Sequence, residues 1–389
     1  MKTLGFMLPY YSKTGGGVFQ HALSIIDGLT AHSAKYRYRI FYYNKDDVGY
    51  ISGRGLDSVG LSPVSKKSLP ERISTMFDLF FDTKRPGSAG DGRVDLMVSP
   101  FPSMYAYSKR MPYLVSIQDL MHRYYGSFPE FPLMERLRRD MLYANAARHA
   151  VLIAVDDAQN ADDLERFYKI PRKKVRVIHY VPPGYVYEYK DMTAERAREI
   201  LVKYNLQPDY LFYPAQFWHH KNHSRLIRAL KAISDDRGVT IPLVLTGSPE
   251  SREYSKVMGL VDQLNMRGQV TILGYVSQEE IVALYKAATA LVFPSLFGPT
   301  NIPPLEAFLL GTPVACSNLF SMPKQVGDAG LLFDPFDIND MSQKICRIWT
   351  DEALRLELTE KGRRRAEGMD LRRYAGEWEK VIDEAMELI

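Results

Sequence analysis

Short apolar runs of strand length alternate along the chain with stretches whose apolar residues recur at helical spacing. In the first half, Lys2–Leu8, Tyr38–Tyr43, Asp95–Ser99, Tyr113–Ile117, Ile153–Val155 and Lys174–His179 read as strands. The intervening helices are predicted after Gly17, where Val18, Ala22, Leu23, Ile25, Ile26 and Leu29 are apolar, over Leu133–Val151, and over Asp156–Tyr168. Asn44–Asp95 has no clear period, and Thr83–Arg93 has the composition of a mobile surface loop. In the second half the strands are Tyr210–Pro214, Leu243–Gly247, Val270–Leu273, Ala290–Phe293 and Val314–Cys316, with Ser317–Pro323 and Val326–Leu332 completing the sheet. Ser277 and Glu280 form a capping box at one helix start. A helix over Pro304–Leu310 is stopped by Gly311. The last helix, Leu371–Ile389, carries Tyr374, Trp378, Val381, Ile382 and Met386 on one face.

Strands alternating with helices predict parallel α/β sheets, and 389 residues exceed one small core. Pro182, Pro183 and Gly184 mark a linker. The expected division is therefore 1–184, 185–370 and a final helix 371–389. The 46% hydrophobic content and a mean hydropathy of -0.23 fit a soluble chain. No apolar run approaches the roughly 20 residues of a membrane span, and the N-terminus reads as a strand, without a signal peptide. Two cysteines, Cys316 and Cys346, lack metal-ligand spacing, which predicts a reducing cytoplasm. Residues 1–185 hold 26 Lys and Arg against 18 Asp and Glu, and the remainder 24 against 28. A basic first half is either a solvated face or a surface for an anionic partner: a phosphorylated acceptor or the anionic inner face of a plasma membrane. No nucleic-acid motif accompanies it.

The densest chemistry lies in Phe293–Val314. A strand breaks into a loop of Gly298, Pro299, Thr300 and Asn301 and enters a helix. A helix N-terminus carries about half a positive charge and unpaired N–H groups, which suits phosphate. Glu306 is predicted in the first turn. It either favours the helix dipole or accepts two hydrogen bonds from vicinal sugar hydroxyls, as from a ribose. Phosphate donors one turn from a diol acceptor point to a nucleotide or nucleotide sugar. Gly15, Gly16 and Gly17 offer amides to an anion, or simply make a tight turn, and G-x-G-x-x-G fails after Gly17. Asp119 and His122 follow a strand end, where side chains project toward the ligand crevice of an open sheet. Asp119 could equally cap the next turn, and His122 could be a surface histidine. His219, His220 and His223 form a trio that no carboxylate accompanies in sequence, so no metal is expected there.

Two segments, PPLEAFLLGTPV (303–314) and GDAGLLFDP (327–335), resemble the C-terminal signature of retaining glycosyltransferases of family 4. The resemblance covers most of the chain and is most specific in the second half. It implies the α/β GT-B fold: two Rossmann-like domains facing across a cleft, with the C-terminal helix crossing back to the N-domain. The family has two glutamates eight positions apart. Glu306 matches the second, implying a ribose contact, and the first falls on Gly298. Thr300, Asn301, Ile302 and the loop amides would then hold the donor. Lys221 matches the family's diphosphate lysine, and Gln216 stands where its arginine would be. Gly16 and Gly17 match a loop lying near donor phosphates and acceptor. Asp119, with Gln118 in place of the usual histidine and His122 one turn on, matches the segment beside the donor sugar.

The resemblance implies a hexosyltransferase that takes mannose or a related sugar from a nucleotide diphosphate sugar such as GDP-mannose. The acceptor would be a glycan or lipid-linked glycan of a surface polysaccharide. Asp119, Lys221 and His122 would be catalytic. No D-x-D is present, in keeping with metal-free, cofactor-free transfer. The other reading is a catalytically weak GT-B scaffold that binds nucleotide or a protein partner. A dinucleotide oxidoreductase is disfavoured by the failed glycine fingerprint.

Overall fold

The computed structural model describes residues 1–9, 16–44, 53–61, 94–103, 105–108, 111–298 and 300–389. Gly15, Pro299 and the predicted loop Thr83–Arg93 lie outside these residues. The chain forms two units. The first comprises Met1–Ser127, Phe131–Tyr180 and Asp370–Ile389, and the second Phe128–Glu130 and Val181–Met369.

The first unit is built on β1 (Thr3–Met7), β2 (Arg37–Tyr42), β3 (Asp57–Gly60), β4 (Leu96–Ser99), β5 (Tyr113–Ser116), β6 (Leu152–Val155) and β7 (Val175–Val177). Their order is β3-β2-β1-β4-β5-β6-β7, parallel throughout. β4, β5 and β6 are buried at every position, as expected of parallel strands covered on both faces. β3 was not foreseen. Its sequence, DSVG, is polar and mostly exposed, and Arg39 of β2 holds Asp57 at 2.6 Å. It is an edge strand without a buried face to announce it. The last helix, Leu371–Glu387, packs in this unit against the first helix, Gly16–His32. Gly28 permits the approach: a Cβ there would meet Ala375 Cβ and the Leu371 carbonyl at 3.3 Å. Tyr374 reaches His21 Nδ1 at 3.2 Å, Lys35 pairs with Asp383 at 2.6 Å, and Arg176 pairs with Glu384.

The second unit is built on β8 (Leu211–Pro214), β9 (Leu243–Thr246), β10 (Val270–Ile272), β11 (Ala290–Phe293), β12 (Val314–Ser317) and β13 (Gly330–Phe333), in the parallel order β10-β9-β8-β11-β12-β13. Both sheets have the doubly wound order, meeting the α/β, GT-B expectation of Rossmann-like units. The capping box Ser277–Glu280 is present, and Gly311 closes its helix at φ +76°. Two boundaries differ from the sequence reading. Met322–Val326, which takes in the end of the expected strand Ser317–Pro323 and the start of the expected strand Val326–Leu332, is a helix with Pro323 in its first turn; β12 ends at Ser317 and β13 begins only at Gly330. The helix expected from Pro304 starts at Ile302, with Asn301 as its N-cap. Glu306 therefore lies in the second turn, not the first.

Candidate active site

In a doubly wound sheet the winding reverses between two adjacent strands, and loops leaving their carboxyl ends diverge around a crevice. In the second unit those strands are β8 and β11. The loop after β8 carries Gln216 and Lys221, and the loop after β11 carries Gly298 to Asn301, so the topology alone brings these two predicted segments side by side. Hydrogen bonds lace them together. Leu296 N–H donates to the His220 carbonyl at 2.8 Å. Asn222, buried and left-handed at φ +61°, donates through Nδ2 to the carbonyls of Pro294 (3.1 Å) and Pro335 (2.9 Å). Lys221 is held in register by Tyr213, whose hydroxyl donates to its carbonyl at 2.8 Å, and its ammonium lies 5.4 Å from the Phe293 ring centre.

The second loop is fixed by its own side chains. Gly298 takes φ +144°, and a Cβ built there would stand 2.3 Å from the Asn301 amide nitrogen. Where the family has a glutamate, this chain has a backbone shape that only glycine adopts at low cost. Asn301 fills the space, donating through Nδ2 to the Gly298 carbonyl at 3.1 Å. Gln325 then clamps Asn301: its Oε1 accepts the Asn301 N–H at 3.0 Å, and its Nε2 donates to the Asn301 carbonyl at 2.6 Å. Arg365 donates to the main-chain carbonyls of Gln325 and Lys324 behind it. The helix terminus is poorer in amides than the sequence reading supposed. Pro303 and Pro304 have no N–H, and the Asn301 N–H is taken by Gln325, leaving Ile302 as the first-turn residue that keeps a donor. The dipole of the helix is unaffected.

Glu306 is 5% exposed. Its Oε2 accepts from the Tyr285 hydroxyl at 2.6 Å and its Oε1 from the Tyr185 hydroxyl at 2.5 Å. Burial pushes its carboxyl above the usual range, and the two phenol bonds oppose that shift. Neither tyrosine was signalled by sequence, since they lie 121 and 21 residues away.

Gln216 turns its Oε1 to the Ser248 N–H at 3.0 Å, joining its loop to the turn after β9 and leaving its amide nitrogen as the donor. The histidines beside Lys221 do have carboxylates. His219 stands 3.5 Å from Glu253, and Glu130 accepts from both the His220 N–H and ring Nδ1 at 3.1 Å. That corrects the reading that no carboxylate accompanies them, because these partners come from distant sequence. Each carboxylate meets one histidine, and among the described residues no three metal-ligating side chains gather. His223 has neither role. It is 2% exposed, stacked on Phe217 at 4.6 Å, and both ring nitrogens lack a hydrogen-bond partner.

The remaining candidates belong to the first unit. Gly16 and Gly17 open the first helix, Gly16 at φ +61°. Asp119 accepts the Met121 N–H at 2.6 Å, the capping geometry of the alternative reading, and its other oxygen is 3.6 Å from Arg139 Nη1. His122 is a core histidine and not a surface one, at 1% exposure. Its Nε2 lies 3.1 Å from Asp140 and 3.0 Å from the Tyr168 hydroxyl, and burial holds it below its usual pKa. Those contacts hold His122 through Nε2 within the packing of its own unit.

A family model, glycosyl transferases group 1, matches residues 195–365. The matched residues all lie in the second unit. Lys221, the Gly298–Asn301 loop and Glu306 all fall within the matched residues. O-antigen chain mannosyltransferase B of Escherichia coli is 28% identical over 237 residues, covering 60% of this chain and 61% of that protein. Serotype-specific mannosyltransferase WbdA of Escherichia coli is 29% identical over 169 residues, 43% of this chain and 21% of that protein. The alignments thus span less than two thirds of these relatives. Among solved structures, Anabaena Alr3699/HepE in complex with UDP-glucose superposes with a TM-score of 0.75 at 14% identity, over 98% of this chain and 99% of that one. At that identity the likeness speaks for the fold alone.

Proposed function

We propose that this protein is a retaining, metal-independent hexosyltransferase of surface polysaccharide synthesis. It would move mannose or a related sugar from a nucleotide diphosphate sugar, GDP-mannose being the first to try, to a glycan or lipid-linked glycan. The observation that carries this is the convergence of the Lys221 loop and the Gly298–Ile302 loop at the switch point of the unit that the group 1 model matches. Glycosyl transfer builds negative charge on the departing diphosphate, and fixed cations and amides aimed at that charge are the strongest catalytic lever. Lys221 supplies the cation. The Ile302 N–H, the helix dipole and the Gln216 amide supply neutral donors, and Gln216 gives less than an arginine because charge-assisted bonds are roughly twice as strong. Asn301 acts mainly by holding the loop, because its main chain is engaged by Gln325. The relatives' names favour a transferase over a silent nucleotide-binding scaffold.

No helix among the described residues is long and apolar enough to cross a membrane. The proposed setting is the cytoplasm, with contact to the anionic inner membrane face. Leu133, Met134 and Leu137 support that contact: they are exposed on one end of a helix that also bears Arg136 and Arg138. The deciding experiment offers GDP-mannose, UDP-glucose and related donors with a mannose-terminated acceptor, with and without EDTA, and reads the product's anomeric configuration by NMR. An α-linked product from an α-configured donor, unchanged by EDTA, is the expected result. Nucleotide binding without transfer from any donor would return the scaffold reading.

A further inference from the structure

Glu306 is the residue expected to hold a ribose, yet both its oxygens are already engaged by phenols of its own chain. The two phenols are not equivalent. Tyr285 is fully buried, packed edge-on to Phe212 at 5.0 Å, and rises on the same helix as the capping box. It approaches Glu306 from the core. Tyr185 is partly exposed and sits in a six-residue helix, Gly184–Tyr189, directly after the two prolines that open the unit. Of the two tyrosines, Tyr185 is the one that keeps exposed surface.

We infer that Tyr185 is a stand-in for the donor's ribose: its hydroxyl occupies Glu306 Oε1 in the empty protein and gives that oxygen up when a nucleoside diphosphate binds. The inference rests on the reading of the second unit as the donor-nucleotide unit. Its physical content is an exchange of like for like. A buried carboxylate oxygen left without a partner is costly, so the empty site is stabilised by the phenol. Binding then swaps a phenol O–H for a ribose O–H with little net gain from that contact. Tyr185 is therefore a specificity-determining residue that lowers the site's preference for ribose over deoxyribose, and lowers nucleotide affinity as a whole. Tyr285 has a different task, orienting the carboxylate from behind in both states.

The test measures dissociation constants of GDP and UDP, and of their 2′-deoxy counterparts, for wild type, Tyr185→Phe and Tyr285→Phe. In wild type the ribose and deoxyribose forms should bind within about threefold of each other, because a bond is exchanged and not added. Tyr185→Phe leaves Glu306 Oε1 open, so the ribonucleotide should bind about tenfold tighter than to wild type and the ribose preference should rise to about tenfold. Tyr285→Phe should bind more weakly than wild type. If Tyr185→Phe binds no tighter and discriminates no better, the stand-in role is overturned while the donor reading survives. If no nucleotide binds wild type, the donor reading falls and takes this one with it. Should Tyr185→Phe fold poorly, the wild-type ratio decides alone: a tenfold ribose preference there overturns the exchange.

Discussion

Gln325 grips the main chain of Asn301 from both sides, accepting its N–H at 3.0 Å and donating to its carbonyl at 2.6 Å. A side-chain amide thus pairs with the backbone of the loop as a neighbouring peptide would. The grip also explains why Asn301 N–H is lost to a ligand and why the loop holds its shape without one. Gln325→Ala should remove both bonds, at a cost of about 1–3 kcal/mol. The expected outcome is a thermal midpoint a few degrees lower and a donor KM that rises more than kcat falls, measured by calorimetry and steady-state kinetics. Gln325→Glu, which keeps the acceptor and loses the donor, should fall between. A KM equal to wild type in the alanine variant would show that the grip does not shape the donor site.

Restoring the family's carboxylate should harm this protein. Gly298→Glu places a side chain at φ +144° and drives Cβ into the Asn301 amide. Backbone strain of this kind costs about 1–3 kcal/mol, before the displaced Asn301 is counted. Denaturant unfolding should show the loss, and activity should fall with it. The pair Gly298→Glu with Asn301→Gly clears the collision and should recover part of the stability. A single variant as stable as wild type would contradict the geometry.

The fold was largely legible because parallel strands buried on both faces write themselves as apolar runs, as in LIAV of β6 and ALVF of β11. Cap chemistry was legible for the same local reason, in Ser277–Glu280 and Gly311. What escaped depends on partners far along the chain. β3 has no apolar face to reveal it, and the short helix at Met322–Val326 imitates a strand in five residues. The site was half legible. Lys221 and the Gly298 loop could be placed by motif and sheet order. The phenols on Glu306, the Gln325 grip, and the glutamates beside His219 and His220 join positions 21 to 121 residues apart, which no local pattern encodes.

Lys221 should carry a large share of the rate. Its ammonium lies near Phe293 at the end of β11, beside the loop that would receive the diphosphate. Lys221→Ala should lower kcat about 100- to 1000-fold, the range seen when a fixed transition-state donor is lost. Stability should hardly change, since the main-chain carbonyl that Tyr213 uses is kept. Lys221→Arg should recover part of the rate. Full activity in the alanine variant would move the catalytic charge elsewhere.

Acid should destabilise the second unit through His223. Its imidazole is buried between Phe217 and Tyr213, and burial holds its pKa down to about 3. The unfolded chain takes up a proton near pH 6.5, while the folded one resists until about pH 3. Below pH 6.5 the unfolded state therefore binds more protons, so stability is full above pH 6.5 and is lost as pH falls through this window. The slope is at most about 1.4 kcal/mol per pH unit from this group. His223→Phe keeps the ring stack and removes the titration, so between pH 6.5 and 4 its unfolding free energy should fall less steeply than that of wild type. Urea unfolding across that range decides it. Parallel pH profiles for the two proteins would mean that His223 titrates in the folded state as it does in water.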